Sequence, residues 1–265
     1  MIDTSSLFII AGPCVIESED LCLRVAEHVS TICRRLGLGF VFKASFDKAN
    51  RSSHASFRGL GVQEGLAILQ SVKRKLGVAL LTDVHEPAQA AMAAEVVDVL
   101  QVPAFLARQT DLLAACGASG RSVNIKKGQF MSPAEMGNAV AKVRGAGTSQ
   151  VWLTERGTFF GYNRLVNDFT ALPQMQALGC PVIFDITHST QQPGGLGTAS
   201  GGNPKYSPLL GRAAVAAGVD GIFLECHPDP KNAKSDAASV LPLQSVEALL
   251  VQMQQIAALR KDWKD

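Results

Sequence analysis

Apolar runs rich in β-branched residues recur along this chain, and each is followed by a stretch whose apolar residues return with helical period. The runs are LFIIAGP, GFVFKAS, VALLTDV, VDVLQVP, RSVNIKK, QVWLTER, CPVIFDITH and GVDGIFLEC. The helical stretches are ESEDLCLRVAEHVSTICRRLG, QEGLAILQSVKRKLG, EPAQAAMAAEV, TDLLAACGAS, SPAEMGNAVAKVRGAG, DFTALPQMQALG, SPLLGRAAVAAG and LQSVEALLVQMQQIAALRKD. In the first, acids open the helix, Leu21, Val25, Val29 and Ile32 recur at helical spacing, and Gly37 stops it. Eight such pairs without a linker or composition break predict an α/β chain folded as a (β/α)8 barrel, one domain over residues 1–265. A doubly wound open sheet is the alternative. Against it, the first turn AGPCVIES lacks the GxGxxG fingerprint of a dinucleotide fold.

At 47% hydrophobic and 18% charged residues, the chain can bury a large core. A net charge of +2 with no basic stripe argues against a nucleic-acid partner and makes any anion recognition local. No basic n-region precedes a long apolar stretch, and no run is long enough to span a membrane, so a cytoplasmic location is expected. Six scattered cysteines without a CxxC pair read mostly as small buried hydrophobes.

One long irregular segment, HSTQQPGGLGTASGGNPKYS, follows the seventh run. It lacks GK[ST] and so is no phosphate-binding Walker loop. In a barrel it lies at the active face, which suggests a lid over Gln192 to Asn203.

Active sites of barrels sit at the C-terminal ends of the strands. Those ends carry Cys14, Lys43, Asp83 with His85, Gln101, Lys126, Arg156, His188 and Glu225. The second run opens into FKASFDKANRSS, where Lys43, Lys48 and Arg51 surround one acid, Asp47, beside Ser45, Asn50, Ser52 and Ser53. Lys43, Lys48, Arg51, Lys126 and Arg156 suit phosphate and carboxylate oxygens. Crowded on one mouth they would repel one another, so one or two multiply charged anions are the expected ligands. Cys14, His188, Glu225 and Asp236 are metal-ligand side chains that could also meet there. Taken alone, Cys14 reads as an inert core thiol, and His227 in LECHPDP competes as a ligand because alternation puts it on the face of Glu225.

These segments resemble the 3-deoxy-D-manno-octulosonate 8-phosphate synthase family, also termed 2-dehydro-3-deoxyphosphooctonate aldolases. The resemblance runs from IIAGPCVIES to SDAASVLPL through FKASFDKANRSS, LTDVHE, LQVPAFLARQTDLL, NIKKGQF, TERGTFFGY, DITHSTQ, TASGG and LECHPDPKNAKSDAAS. Related heptulosonate synthases carry a KPRTS-like segment where this chain has KANRSS. The resemblance implies condensation of phosphoenolpyruvate with D-arabinose 5-phosphate and water, for lipopolysaccharide (KDO) synthesis, by a homotetramer. It implies that Lys43, Ser45, Lys48, Lys126 and Arg156 hold phosphoenolpyruvate, and that Asn50, Arg51 and Ser52 take the aldose phosphate. Asp83, Gln101 and Gln191 are implied as further pocket residues. Lys48, Lys126, Arg156, His188 and Asp236 are implied as the catalytic set. The family has a metal-dependent branch with cysteine in the first turn and a metal-independent one with asparagine. Cys14 places this chain in the former, with Cys14, His188, Glu225 and Asp236 as ligands of iron(II), zinc or manganese.

Overall fold

The computed structural model describes residue 4 and residues 6–148, 150–197 and 200–263. Its main strands are β1 (Phe8–Gly12), β2 (Gly39–Lys43), β3 (Ala79–Asp83), β4 (Val99–Val102), β5 (Ser122–Lys126), β6 (Val151–Glu155), β7 (Val182–Asp185) and β8 (Gly221–His227). Helices α1 (Glu19–Leu36), α2 (Val62–Leu76), α3 (Pro87–Ala94), α4 (Thr110–Ala118), α5 (Met136–Ala146), α6 (Ala171–Gln176), α7 (Ser207–Ala216) and α8 (Val246–Arg260) follow them in alternation. Each strand pairs in parallel with the next, and β8 returns to β1, from Phe8 opposite Gly221 to Gly12 opposite Glu225. That last pairing closes the sheet into the expected (β/α)8 barrel, since an open doubly wound sheet would leave β1 without it.

Local chemistry sets the elements. Ser18 caps α1 by accepting from the Leu21 amide, Glu19 and Asp20 sit at its positive end, and Arg34 and Arg35 sit at its negative end. Gly37, at φ 68°, ends it in the left-handed region where a side chain is strained. At Gly12 the need is space: a Cβ there would lie 1.8 Å from the Lys43 carbonyl oxygen.

The core has two parts. The larger lies between the barrel's outer face and the helices. The smaller fills the barrel with Phe8, Ile10, Val41, Leu81, Val99, Trp152, Ile183 and Phe223. Phe8 and Trp152 meet there with ring centroids 5.2 Å apart. Each such side chain contributes about 1.5–3 kcal/mol through burial. This plug makes the barrel a solid support for the strand ends above it.

Two short antiparallel pairings decorate the strand ends, Thr158–Phe159 with Leu165–Val166, and Gln191–Gln192 with Gly201–Gly202. The second clamps the base of the expected lid segment, of which residues 198 and 199 lie outside the described residues. No described helix is long and apolar enough to cross a membrane.

Candidate functional site

Alternation along the strands builds the site directly on the apolar plug. Side chains two residues apart share a face. The residues two beyond Val41, Leu81, Val99, Trp152, Ile183 and Phe223 are Lys43, Asp83, Gln101, Thr154, Asp185 and Glu225. Each of these six strands therefore changes from apolar to polar in a single step. Phe223 bridges the two layers, with Lys126 Nζ 3.6 Å from its ring centroid and Lys43 Nζ at 5.5 Å. Its π face is a favourable surface for buried cations.

Above this layer opens a cavity of about 690 Å³. Lys43, Lys48, Asn50, Arg51, Ser52, Asp83, His85, Gln101, Lys126, Arg156, His188, Gln191 and Asp236 all line it. Lys43 donates to Glu225 Oε1 at 2.7 Å and to the Cys14 carbonyl at 3.0 Å. Lys126 is bonded to the buried Asp185 carboxylate. Arg156 reaches Gln191 Oε1 at 2.8 Å through Nη2, while its buried Nη1 has no partner among the described residues. Burial lowers the pKa of Lys126 and of Arg156, so an anion entering the cavity would relieve both. For Asp83 burial acts the other way, but Lys43 and Lys48 outweigh it and hold the carboxyl well below its usual range.

Cys14, Glu225 and Asp236 bring donor atoms within 4.8 Å of one another, a group that could hold a metal ion. Cys14 Sγ lies 3.0 Å from Asp236 Oδ2 and 2.9 Å from Ser235 Oγ. His188 Nε2 lies 3.6 Å from Glu225 Oε2 and 3.5 Å from Asp236 Oδ2. Its other ring nitrogen is fixed by Asp185 at 2.7 Å, the carboxylate–histidine arrangement that orients a ligating imidazole. Glu225 Oε2 is buried with no hydrogen-bond partner among the described residues. An orphaned carboxylate oxygen, an oriented imidazole, a second carboxylate and a thiol fit a divalent ion. Burial and the two neighbouring acids push the Cys14 thiol well above its ordinary pKa, and a cation would reverse that balance. Asp236 takes its place with a left-handed backbone, φ 51°, a conformation that aspartate tolerates better than most residues.

His227, the competitor on spacing, turns elsewhere: its Nδ1 accepts from the Asp229 amide at 2.9 Å and its Nε2 lies 3.6 Å from Glu17. Ser45 is drawn in less directly than the resemblance implied. It is fully buried, lies outside the cavity lining and donates to Asp83. Sequence reasoning passed over Asp185, which ends an apolar run just before His188 in FDITH, and Gln129, a buried amide in the cavity wall. It also passed over Asn124 and Thr154, polar residues inside runs that read as packing. Two steps of alternation back from Lys126 and Arg156 would have found the last pair.

Comparison with known proteins bears on this mouth. The model of the DAHP synthetase I family matches residues 3–262. A 2-dehydro-3-deoxyphosphooctonate aldolase from Cyanothece sp. is 55% identical over 258 residues, covering 97% of this chain and 93% of its own length. The protein of that name from Thioalkalivibrio sulfidiphilus is 56% identical over 245 residues, covering 92% of this chain and 88% of its own. That from Rhodopseudomonas palustris is 56% identical over 256 residues, 96% of this chain and 89% of its own.

Proposed function

The chain belongs to the DAHP synthetase I family and, within it, to the 2-dehydro-3-deoxyphosphooctonate aldolases, and from that premise we propose that it condenses phosphoenolpyruvate with D-arabinose 5-phosphate and water. The products are 3-deoxy-D-manno-octulosonate 8-phosphate and inorganic phosphate, the former a precursor for lipopolysaccharide. The observation that carries this is the convergence of Lys43, Lys48, Lys126 and Arg156 on one cavity over a polar layer. Two multiply charged substrates suit such a mouth.

In this scheme Lys43, Lys48, Lys126 and Arg156, whose Nη1 has no partner among the described residues, take oxygens of phosphoenolpyruvate. Asn50, Arg51 and Ser52 on the rim take the aldose phosphate. Gln101 and Gln191 orient the reacting carbons, while Ser45 acts through Asp83. The enol carbon attacks the aldehyde carbon, forming the new C–C bond as the C=O electron pair moves to the aldehyde oxygen. Water adds to the carbon that bears the phosphate ester; one of its protons passes through a base to the new hydroxyl, and the other leaves with the phosphate as its C–O bond breaks to give the ketone. Fixed cations stabilise charge on the departing group without reorganising. Asp236 Oδ1, 3.2 Å from Gln191 Nε2, is our choice of acceptor for the water's proton, with His188 beside it.

Cys14, His188, Glu225 and Asp236 would hold a divalent ion, with iron(II), zinc and manganese compatible with the mixed donors. Such an ion, when bound, supplies Lewis acidity for a carbonyl or a water. The metal-dependent branch is thus our reading. We also infer a homotetramer acting in the cytoplasm. Exposed Phe105, Phe130, Phe159, Phe160 and Tyr162 offer apolar surface for partner copies, and the substrates are soluble phosphates.

The test is phosphate release from phosphoenolpyruvate with arabinose 5-phosphate or erythrose 4-phosphate, before and after chelation. Release with the five-carbon sugar, lost on chelation, is expected. Turnover confined to erythrose 4-phosphate would transfer the protein to the heptulosonate synthases.

A further inference from the structure

Across the barrel, just above the apolar plug, five polar side chains form one hydrogen-bonded row. Thr154 Oγ1 on β6 donates to Asn124 Oδ1 on β5 at 2.8 Å. Asn124 Nδ2 donates to Gln101 Oε1 on β4, also at 2.8 Å. Gln101 Nε2 donates to Asp83 Oδ1 on β3, and Ser45 Oγ, just beyond β2, donates to Asp83 Oδ2. Thr154, Asn124 and Ser45 are fully buried, with Gln101 1% and Asp83 6% exposed.

Chemistry gives this row a single direction. An ionised carboxylate only accepts, so Gln101 must present its NH2 group to Asp83 and its oxygen to Asn124. Asn124 must then present NH2 to Gln101, which leaves its own oxygen for the Thr154 hydroxyl. Flipping either amide sets like ends against each other, in a place too buried for water to repair. Asp83 is therefore held in one orientation, and its Oδ2 stands 3.9 Å from Lys43 Nζ and 3.7 Å from Lys48 Nζ. It is the only acid of the row and the spacer between two cations of the mouth.

We propose that Asn124 and Thr154, neither of which lines the cavity, are positioning residues that fix Asp83 and through it the placement of Lys43 and Lys48. The inference rests on the reaction proposed above for what the lysines hold. Without the Thr154 hydroxyl, Asn124 Oδ1 becomes a buried acceptor with no donor, and Asn124 can seek a new one only by shifting off Gln101 and loosening the row that holds Asp83. Asp83 then drifts, and the lysines lose a common reference.

Thr154→Val keeps the shape and removes the donor, Thr154→Ser keeps the donor, and Asn124→Leu removes the middle link. In steady-state kinetics, kcat/KM for phosphoenolpyruvate is expected to fall about tenfold in Thr154→Val and to stay within about twofold in Thr154→Ser, a loss near that of one buried hydrogen bond. Because the row acts as a unit, Asn124→Leu combined with Thr154→Val should be no worse than Asn124→Leu alone. Calorimetric binding of inorganic phosphate to each variant gives a readout that needs no turnover and should follow the same order. Thermal unfolding checks that every assay runs well below the transition. Equal kinetics and equal phosphate affinity in folded Thr154→Val, equal damage in Thr154→Ser, or additive losses in the double variant would each overturn the proposal. Should the unaltered protein release no phosphate from any substrate pair, the reaction is wrong and the phosphate affinities alone decide the row.

Discussion

The carboxylate of Glu225 is split between two tasks: Oε1 takes Lys43 Nζ at 2.7 Å, and Oε2 is left buried without a hydrogen-bond partner among the described residues. Unmet polar atoms of this kind are costly unless something charged arrives. Lys43 and His188 nevertheless outweigh the burial that opposes ionisation and hold the Glu225 carboxyl below its ordinary pKa. A charged, half-satisfied oxygen beside Cys14, His188 and Asp236 is a place prepared for a cation.

Metal content should therefore depend on these side chains. Cys14→Ala and Glu225→Gln should each bind far less metal by elemental analysis after equal metal loading. Chelation of the unaltered protein should abolish turnover, and manganese or another divalent ion should restore it. Full activity in demonstrably metal-free protein would place the chain in the metal-independent branch despite Cys14.

Asp185 joins Lys126 to His188 at the foot of the cavity. Burial alone would raise its pKa, but His188 and Lys126 hold it well below the ordinary value. The folded state thus binds fewer protons than the unfolded one, in which an aspartate titrates near ~3.9. The resulting stability is present above about pH 4 and is lost as pH falls toward the depressed folded value. Asp185→Asn should be less stable at neutral pH by about 3–5 kcal/mol, because it leaves a buried lysine without its charge partner. It should also lose less stability than the unaltered protein between about pH 5 and pH 3. Denaturant titrations at several pH values measure both. Parallel pH curves for the two proteins would show that this pair does not govern acid sensitivity.

Lys126 should lose its proton earlier than an exposed lysine. Burial lowers its pKa, and Asp185 offsets only part of that. The affinity for phosphoenolpyruvate should decline on the alkaline side before the ordinary lysine range is reached. Lys126→Arg should move that limb upward while lowering the maximum, since the planar fork fits the site differently. Profiles of kcat/KM against pH provide the check; an unmoved limb would assign the titration to another group.

Arg51 should discriminate between the substrates. Its Nε and one Nη2 proton already hold the carbonyls of Phe57 and Lys234, at 3.0 and 3.2 Å, which sets the fork while leaving other N–H groups for a phosphate. Arg51→Ala should raise KM for arabinose 5-phosphate about tenfold or more and change KM for phosphoenolpyruvate far less. Arg51→Lys should recover charge but only part of the fit. Comparable losses for both substrates, with circular dichroism unchanged, would mean that Arg51 organises the whole rim.

Pro193, Gly194 and Leu196 line the cavity from the segment whose base is closed by the 191–192 and 201–202 pairing, and Leu196 is 64% exposed. If this segment closes over bound substrates, limited proteolysis between residues 193 and 200 should slow when phosphoenolpyruvate and the aldose are both present. Equal cleavage with and without them would remove the lid.

The barrel was legible in the amino-acid order alone, because both of its signals are local. Each run from LFIIAGP to GVDGIFLEC is apolar enough to be buried on both faces, and each stretch between them carries the helical period. That order also placed Lys43, Lys126, Arg156 and His188 on one mouth, because a barrel puts the C-terminal end of every strand on the same side. What each of those groups touches emerged once the strands had closed on one another. Spacing could not separate Glu225 from His227, and the fold did so by turning His227 to Glu17 and Asp229 and setting Glu225 Oε2 beside His188. Nor could it reveal Asp185 as the shared partner of Lys126 and His188, or the row from Thr154 to Asp83. Apart from Asp185 with His188, which are three residues apart, those contacts join residues 18 to 59 apart in the chain. A side chain's direction around the barrel follows from strand alternation, which the sequence carries, whereas its neighbours follow from register and closure, which arise only when all eight strands pair.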